Sequence, residues 1–197
     1  MDSGTTVRPA PHEVALLRGG PRAAVTVAVL ALHLRGFADA GRPGTVRVSG
    51  EPQGAGQALS DLDRALYASL QQPVSIGELV RHPAVRREIA ALRDRLTAAG
   101  LLRTLPPQRT RAARRTLDAL RAEHPVPARR KDLSTADALF AVALHGDAAL
   151  AVLVPRFALR AGLTARVEVA DRGLRRHSPR NLGGGGGYGC GDGGGSD

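Results

Sequence analysis

The sequence is poor in cysteine, which cross-links small folds, and in aromatic residues, which often fill their cores. It has one cysteine, Cys190, no tryptophan, two tyrosines and three phenylalanines in 197 residues. A single cysteine excludes an internal disulfide and a zinc site built on cysteines. With so few aromatic side chains the core must consist of alanine, leucine and valine, and a hydrophobic content of 43% is enough for a sizeable one.

Recognisable catalytic and metal-binding motifs are also missing from the sequence. No serine stands in a nucleophile elbow, and no phosphate-binding glycine loop follows a strand pattern. The six histidines are scattered without carboxylate or histidine partners at ligand spacing: His12, His33, His82, His124, His145 and His177. We therefore expect a protein that is not an enzyme, with no catalytic residue, no metal ligand and no cofactor.

The first residues, MDSGTTVRPAP, contain no hydrophobic signal region. The most apolar later stretch, residues 135–154, holds Asp137 and Asp147, and each aspartate at a bilayer centre costs about 2.5 to 3.5 kcal/mol. A helix broken near His145 and Gly146 in a protein core explains this stretch better than a membrane span. We expect a cytoplasmic chain. A peripheral position at the inner face of the membrane is compatible with this expectation.

Residues 11–50 predict two helices, a turn and a short strand. Glycine tolerates the backbone that ends a helix and proline suits the first turn of the next, so Gly19, Gly20 and Pro21 predict a stop followed by a restart. The second helix, residues 22–35, is apolar almost all round, as a buried helix is. The alternation in residues 45–49, TVRVS, predicts a strand. This order of elements resembles a winged-helix unit.

A second helical unit is predicted over residues 60–104. Ser60 begins one helix, and Ser75 with Glu78 forms a capping box for a short one. A longer helix begins at Pro83, and its apolar residues recur at helical spacing: Val85, Ile89, Leu92 and Leu96.

The remaining chain divides into residues 109–170, with a basic helix and an apolar helical segment capped by Asp132 or Ser134, and a glycine-rich tail, residues 171–197. Glycine-rich sequence does not recover the entropy lost on ordering, so the tail is predicted to be disordered, as is a leader over residues 1–10. The predicted fold class is mainly α, with winged-helix-like helical units, a small β element, a C-terminal helical segment and the disordered tail.

The net charge of +10 favours polyanionic partners. All but one of the 28 basic residues are arginine, the exception being Lys131. A cluster around the basic helix gives the candidate anion-binding residues: Arg109, Arg111, Arg114, Arg115, Arg121, Arg129, Arg130 and Lys131. The alternative is that these arginines only solvate a helix whose Asp118 and Glu123 partly compensate them.

Two motifs carry a resemblance to a known family. Glu13, Leu17, Gly19, Gly20, Pro21 and Arg22 form the first, and the glycine-rich tail around Cys190, residues 183–195, forms the second. Together with the helices at residues 82–102 and 110–124, they resemble an uncharacterised actinobacterial family described only as domain-containing membrane proteins. That family typically has membrane spans between the regions matching Leu102 and Arg111, where this chain has only RTLPPQRT. The resemblance implies no activity.

A further likeness, in the alternation of LLxxxG helices with a turn and strand, is to the Golgi-phosphoprotein type of phosphoinositide-binding fold, which implies anionic lipid headgroups as ligands. Two hypotheses follow. The first is a non-enzymatic peripheral or scaffold module whose partner is an anionic membrane surface or a membrane-bound protein. The second is a winged-helix transcriptional regulator that binds nucleic acid, with the arginines of the helix at residues 84–99 as its reading side chains.

Overall fold

The computed structural model describes residues 9–50, 59–103, 109–130 and 133–164. These residues form a mainly helical fold with a three-stranded sheet, which confirms the predicted class. The helices are α1 (Pro11–Leu34), α2 (Asp61–Ser69), α3 (Ile76–Arg81), α4 (Pro83–Ala98), α5 (Arg111–Glu123), α6 (Thr135–His145), α7 (Asp147–Leu153) and α8 (Pro155–Arg160). The strands are β1 (Ala38–Ala40), β2 (Thr45–Val48) and β3 (Val74–Ser75).

Helix α1 is the central element, and it is kinked where the sequence predicts a break. Gly20 has φ 73° and ψ −163°, a conformation that glycine adopts without steric cost, and Pro21 begins the second segment. Beyond the kink every residue from Ala23 to Leu32 is buried. Helix α1 packs most extensively on α6 and also contacts α2, α3, α4 and α5. Each fully buried leucine or valine contributes about 1.5 to 3 kcal/mol, so this helix anchors the core.

By length and composition α1 alone, among the described helices, could cross a membrane. In the fold, however, 72% of its most apolar window is buried. Its hydrophobic surface is therefore covered by neighbouring helices, as expected for the core helix of a folded domain.

The sheet has the order β1-β2-β3 with both pairs antiparallel. Strand β2 confirms the predicted strand at this position. Strand β1 is not evident from the sequence, because its three residues, ADA, have little strand propensity. Pairing with β2 and burial of Ala38 and Ala40 hold it in place.

Side-chain caps begin the helices where the sequence predicts. The hydroxyls of Ser60, Ser75 and Ser134 accept from the backbone N–H three residues later, so Ser134, rather than Asp132, caps α6. The predicted break near His145 is also confirmed. Gly146, with φ 61° and ψ −124°, ends α6 and precedes α7.

The predicted units share one hydrophobic core. Buried hydrophobic residues from the described part of each unit belong to it, including Leu30 of α1, Leu66 of α2 and Leu144 of α6. The predicted leader is described only at residues 9 and 10, and the predicted tail, residues 171–197 with Cys190, lies outside the described residues.

Candidate anion-binding cleft

The predicted basic cluster does not form one site. Arg111, Arg114 and Arg115 are exposed on α5, and Arg121 forms an ion pair with Asp118 at 3.2 Å. Arg109 lies before the helix, while Arg129 and Arg130 follow it in an irregular segment. Lys131 lies outside the described residues. The structure brings Arg109 and Arg114 to one cleft, and it places Arg130 at a different cavity.

Helix α5 presents its arginines outward because its apolar face is buried. Ala113, Leu117 and Leu120 pack into the core, and residues on the opposite side of the helix face solvent. Thr110 caps the helix by accepting from the N–H of Ala113 at 3.2 Å. Because one face of α5 is buried, the arginines on its opposite face are the ones that a binding partner can contact.

The cleft surrounds the kink of α1 and has a volume of about 740 Å³. Leu16, Leu17 and Leu102 form its apolar wall, together with the glycines and the proline of the kink. Four arginines from three helices and a loop surround it: Arg18, Arg93, Arg109 and Arg114. We call this feature the arginine cleft. It combines the Gly19-Gly20-Pro21 segment, where the sequence predicts a helix break, with Arg109 and Arg114 from the predicted basic cluster.

Backbone contacts after α4 bring Arg109 and Arg114 beside Arg93. Leu102 forms an isolated antiparallel bridge with Arg109, and the Thr110 hydroxyl donates to the carbonyl oxygen of Gly100 at 2.9 Å. Local sequence patterns do not report such a long-range closure. For that reason the sequence places Arg93 among the possible DNA-reading arginines of residues 84–99 and not in the anion-binding set.

Arg18 anchors the cleft to α6. Its Nε donates to the carbonyl oxygen of Ala143 at 2.7 Å, in the last turn of that helix. Cations are favourable near a helix C-terminus because the last carbonyls lack intrahelical partners. Burial lowers the pKa of the Arg18 guanidinium, the charge of Asp147 acts to raise it, and nearby Arg121 lowers it further. Arg18 thus links α1 to α6 and also lines the cleft.

The cleft is electropositive because its cations are poorly compensated. None of Arg93, Arg109 and Arg114 forms an ion pair with another residue in the described part of the chain. Like charges around a concave surface focus a positive potential, and arginine binds carboxylate or phosphate oxygens through two parallel hydrogen bonds. The arrangement can therefore bind anionic oxygens.

A buried polar cluster elsewhere has a structural role. The Asp63 side chain, 1% exposed, accepts at Oδ1 from His12 Nε2 at 3.0 Å and at Oδ2 from Arg35 Nη1 at 3.3 Å. Ser60 donates its backbone N–H to the same carboxylate and caps α2. Burial acts to raise the pKa of Asp63, but the hydrogen bond and charge of His12, with the bonds from Ser60, outweigh it and lower the pKa. The cluster joins both ends of α1 to α2.

The other described histidines are held by separate partners. His145 Nε2 donates to the carbonyl oxygen of His124 at 2.7 Å, and His82 Nδ1 lies 3.0 Å from the Ser69 hydroxyl. Within the described ranges, no three side chains of histidine, cysteine, aspartate or glutamate come close enough together to hold a metal ion.

Comparison with known proteins yields no relative: no protein-family model, no curated protein and no solved structure matches the chain.

Proposed function

We propose that this protein is a non-enzymatic peripheral module that binds an anionic membrane surface at the inner face of the membrane through the arginine cleft and the exposed arginines of α5. The observation that carries the proposal is the positive charge of the cleft, where Arg93, Arg109 and Arg114 form no ion pair with another described residue. Arg109 and Arg114 belong to both the cleft and the predicted basic cluster, and Arg114 lies on the exposed face of α5, so the concave site adjoins that face.

The geometry supports surface binding in preference to insertion. Arg111, Arg114 and Arg115 are exposed, whereas the apolar face of α5 is already buried in the core. Adsorption would therefore be electrostatic. Near an anionic leaflet each arginine contributes about 1 kcal/mol, and that contribution falls as salt increases.

A nucleic-acid-binding regulator is the second candidate, and one feature favours it. Helices α3 and α4 are joined by the single residue His82, and α4 exposes Arg86, Arg87 and Arg93. A helix pair with a short turn and an exposed second helix is the arrangement that enters the major groove of DNA. The second segment of α1 cannot play this part, because it is buried.

Co-sedimentation with lipid vesicles tests the first proposal. We expect the protein to bind vesicles of phosphatidylcholine mixed with phosphatidylglycerol, not phosphatidylcholine alone, and to dissociate as salt is raised. The triple variant Arg111→Gln/Arg114→Gln/Arg115→Gln should lose roughly 100-fold in partition constant, because three charges at about 1 kcal/mol each are removed.

The matched control is Arg42→Gln/Arg47→Gln/Arg81→Gln, which removes the same net charge from exposed positions outside the cleft and α5. Equal losses in the two triple variants would mean that only net charge matters, and the proposed surface would be wrong. Duplex DNA is the competitor. If DNA strips the protein from the vesicles, and Arg86→Gln/Arg87→Gln abolishes that transfer, the regulator hypothesis replaces the membrane proposal.

A further inference from the structure

A second cavity, of about 330 Å³, lies between the end of α1, β1 and α8. Its volume is at the lower end of the range for small-molecule sites. It shares no lining residue with the arginine cleft. Any ligand here is therefore independent of the proposed membrane surface.

One side of this cavity is apolar and aromatic. Leu153, Val154 and Phe157 line it and are themselves buried. The His33 ring stacks on Phe157 with centroids 3.6 Å apart and an angle of 1° between the planes. His33 is fixed by its Nδ1, which lies 3.0 Å from the carbonyl oxygen of Ala38. A rigid, flat wall of this kind suits a planar apolar group.

The other side is cationic. Arg130, Arg156 and Arg160 line the cavity, are exposed, and make no ion pair with any residue of the described ranges. Asp39 is the acidic residue of the lining. Its Oδ1 accepts from the N–H of Ala40 at 2.7 Å and lies 3.9 Å from His33 Nδ1. Three guanidinium groups against one carboxylate leave the cavity positive.

From this juxtaposition we propose that the cavity binds a small organic carboxylate with a planar ring. The carboxylate is held by the arginines at the rim, because a guanidinium binds both oxygens of a carboxylate at once. The ring lies against the buried wall of Leu153, Val154 and the His33–Phe157 stack. An inorganic anion would contact only the arginines, and a neutral aromatic molecule would contact only the apolar wall. A ligand with both a carboxylate and a ring contacts both sides of the cavity.

The competing explanation is that the arginines only cover apolar side chains with their aliphatic stems while their charged ends stay in water. In that case charge on a ligand would not matter. The two explanations therefore differ in what they predict for matched ligands with and without a carboxylate.

The test is an amide-resonance titration of the full chain with four probes: benzoate, benzamide, acetate and inorganic phosphate. We expect benzoate to shift the resonances of His33, Ala40 and Phe157 and to bind at least about tenfold more tightly than any of the other three, because only benzoate satisfies both halves of the site. Arg156→Gln/Arg160→Gln should weaken benzoate binding by about tenfold or more, since two charge-assisted contacts are lost. Asp39→Asn should tighten it, because a like charge is removed while the acceptor of the Ala40 N–H is kept.

Arg86→Gln/Arg87→Gln on α4 is the matched control and should leave benzoate binding unchanged. Equal binding of benzamide and benzoate would overturn the proposal, and so would benzoate binding that survives Arg156→Gln/Arg160→Gln. Absence of any benzoate-dependent shift at His33, Ala40 and Phe157 would overturn it as well. None of these results bears on vesicle binding, so the two proposals fail separately.

Discussion

Replacing Asp63 should cost more stability than any other single acidic change among the described residues. Its carboxylate is 1% exposed and accepts from His12, Arg35 and the backbone of Ser60. Asp63→Ala leaves these donors facing a buried gap without a charge partner. Breaking a buried ionic network in this way costs about 3 to 5 kcal/mol.

The matched control is Asp61→Ala, in the same first turn of α2. Asp61 is exposed and pairs with Arg64 on the surface, so its removal should cost only about 0 to 1 kcal/mol. Urea unfolding followed by circular dichroism at neutral pH measures both values. A loss below about 1 kcal/mol for Asp63→Ala would refute the claim that this carboxylate holds α1 and α2 together.

The same variant gives a pH dependence of known sign. Because the folded-state pKa of Asp63 lies below its unfolded value, the charged form stabilises the fold above the unfolded pKa, near pH 4. That contribution is lost as the pH falls through the folded-state pKa. The stability difference between the protein and Asp63→Ala should therefore be full at neutral pH and should shrink below about pH 4. A difference that stays constant down to pH 3 or below, within about 0.5 kcal/mol, would contradict the assignment.

Three further predictions concern the core and the caps. Leu30→Ala, in the middle of the buried segment of α1, should lower the unfolding free energy by about 2 to 5 kcal/mol in urea titrations, and a smaller loss would mean that α1 is not the core helix. Gly146→Ala should lower the unfolding free energy by about 1 to 3 kcal/mol, because a backbone φ of 61° is strained for alanine. The added Cβ would also lie 2.7 Å from Nη1 of Arg18, and an unchanged melting temperature would refute this prediction. Ser75→Ala should raise the pKa of Glu78 part of the way toward its ordinary value, because the backbone N–H of Ser75, which is retained, and its hydroxyl, which is lost, both hold that pKa low. Titration of the carboxyl resonances in both proteins measures the change, and identical pKa values would exclude the hydrogen bond from the Ser75 hydroxyl to the Glu78 carboxylate.

Helix boundaries could be predicted because their causes are local. Ser60, Ser75, Ser134 and the Gly-Gly-Pro kink each act within one helical turn, and each lies at a helix end or kink in the structure. The break at Gly146 belongs to the same class.

Long-range features could not be predicted from the same patterns. Strand β1 depends on pairing with β2, and the bond from Arg18 to Ala143 joins residues 125 positions apart. The basic cluster shows the consequence for function. Arg109 and Arg114 line the cleft at the kink of α1, while Arg130 lines another cavity and belongs to an irregular segment whose position in the fold no local sequence pattern predicts.

The most direct test of the membrane proposal is the partition constant of Arg109→Gln/Arg114→Gln on phosphatidylglycerol-containing vesicles, compared with Arg42→Gln/Arg47→Gln. Both pairs remove two charges, but only the first lies in the arginine cleft. We predict a loss of roughly tenfold or more for Arg109→Gln/Arg114→Gln and little change for Arg42→Gln/Arg47→Gln at low salt, with the difference disappearing at high salt. Equal partition of the two variants at low salt would contradict the proposal that the cleft is the surface that meets the membrane.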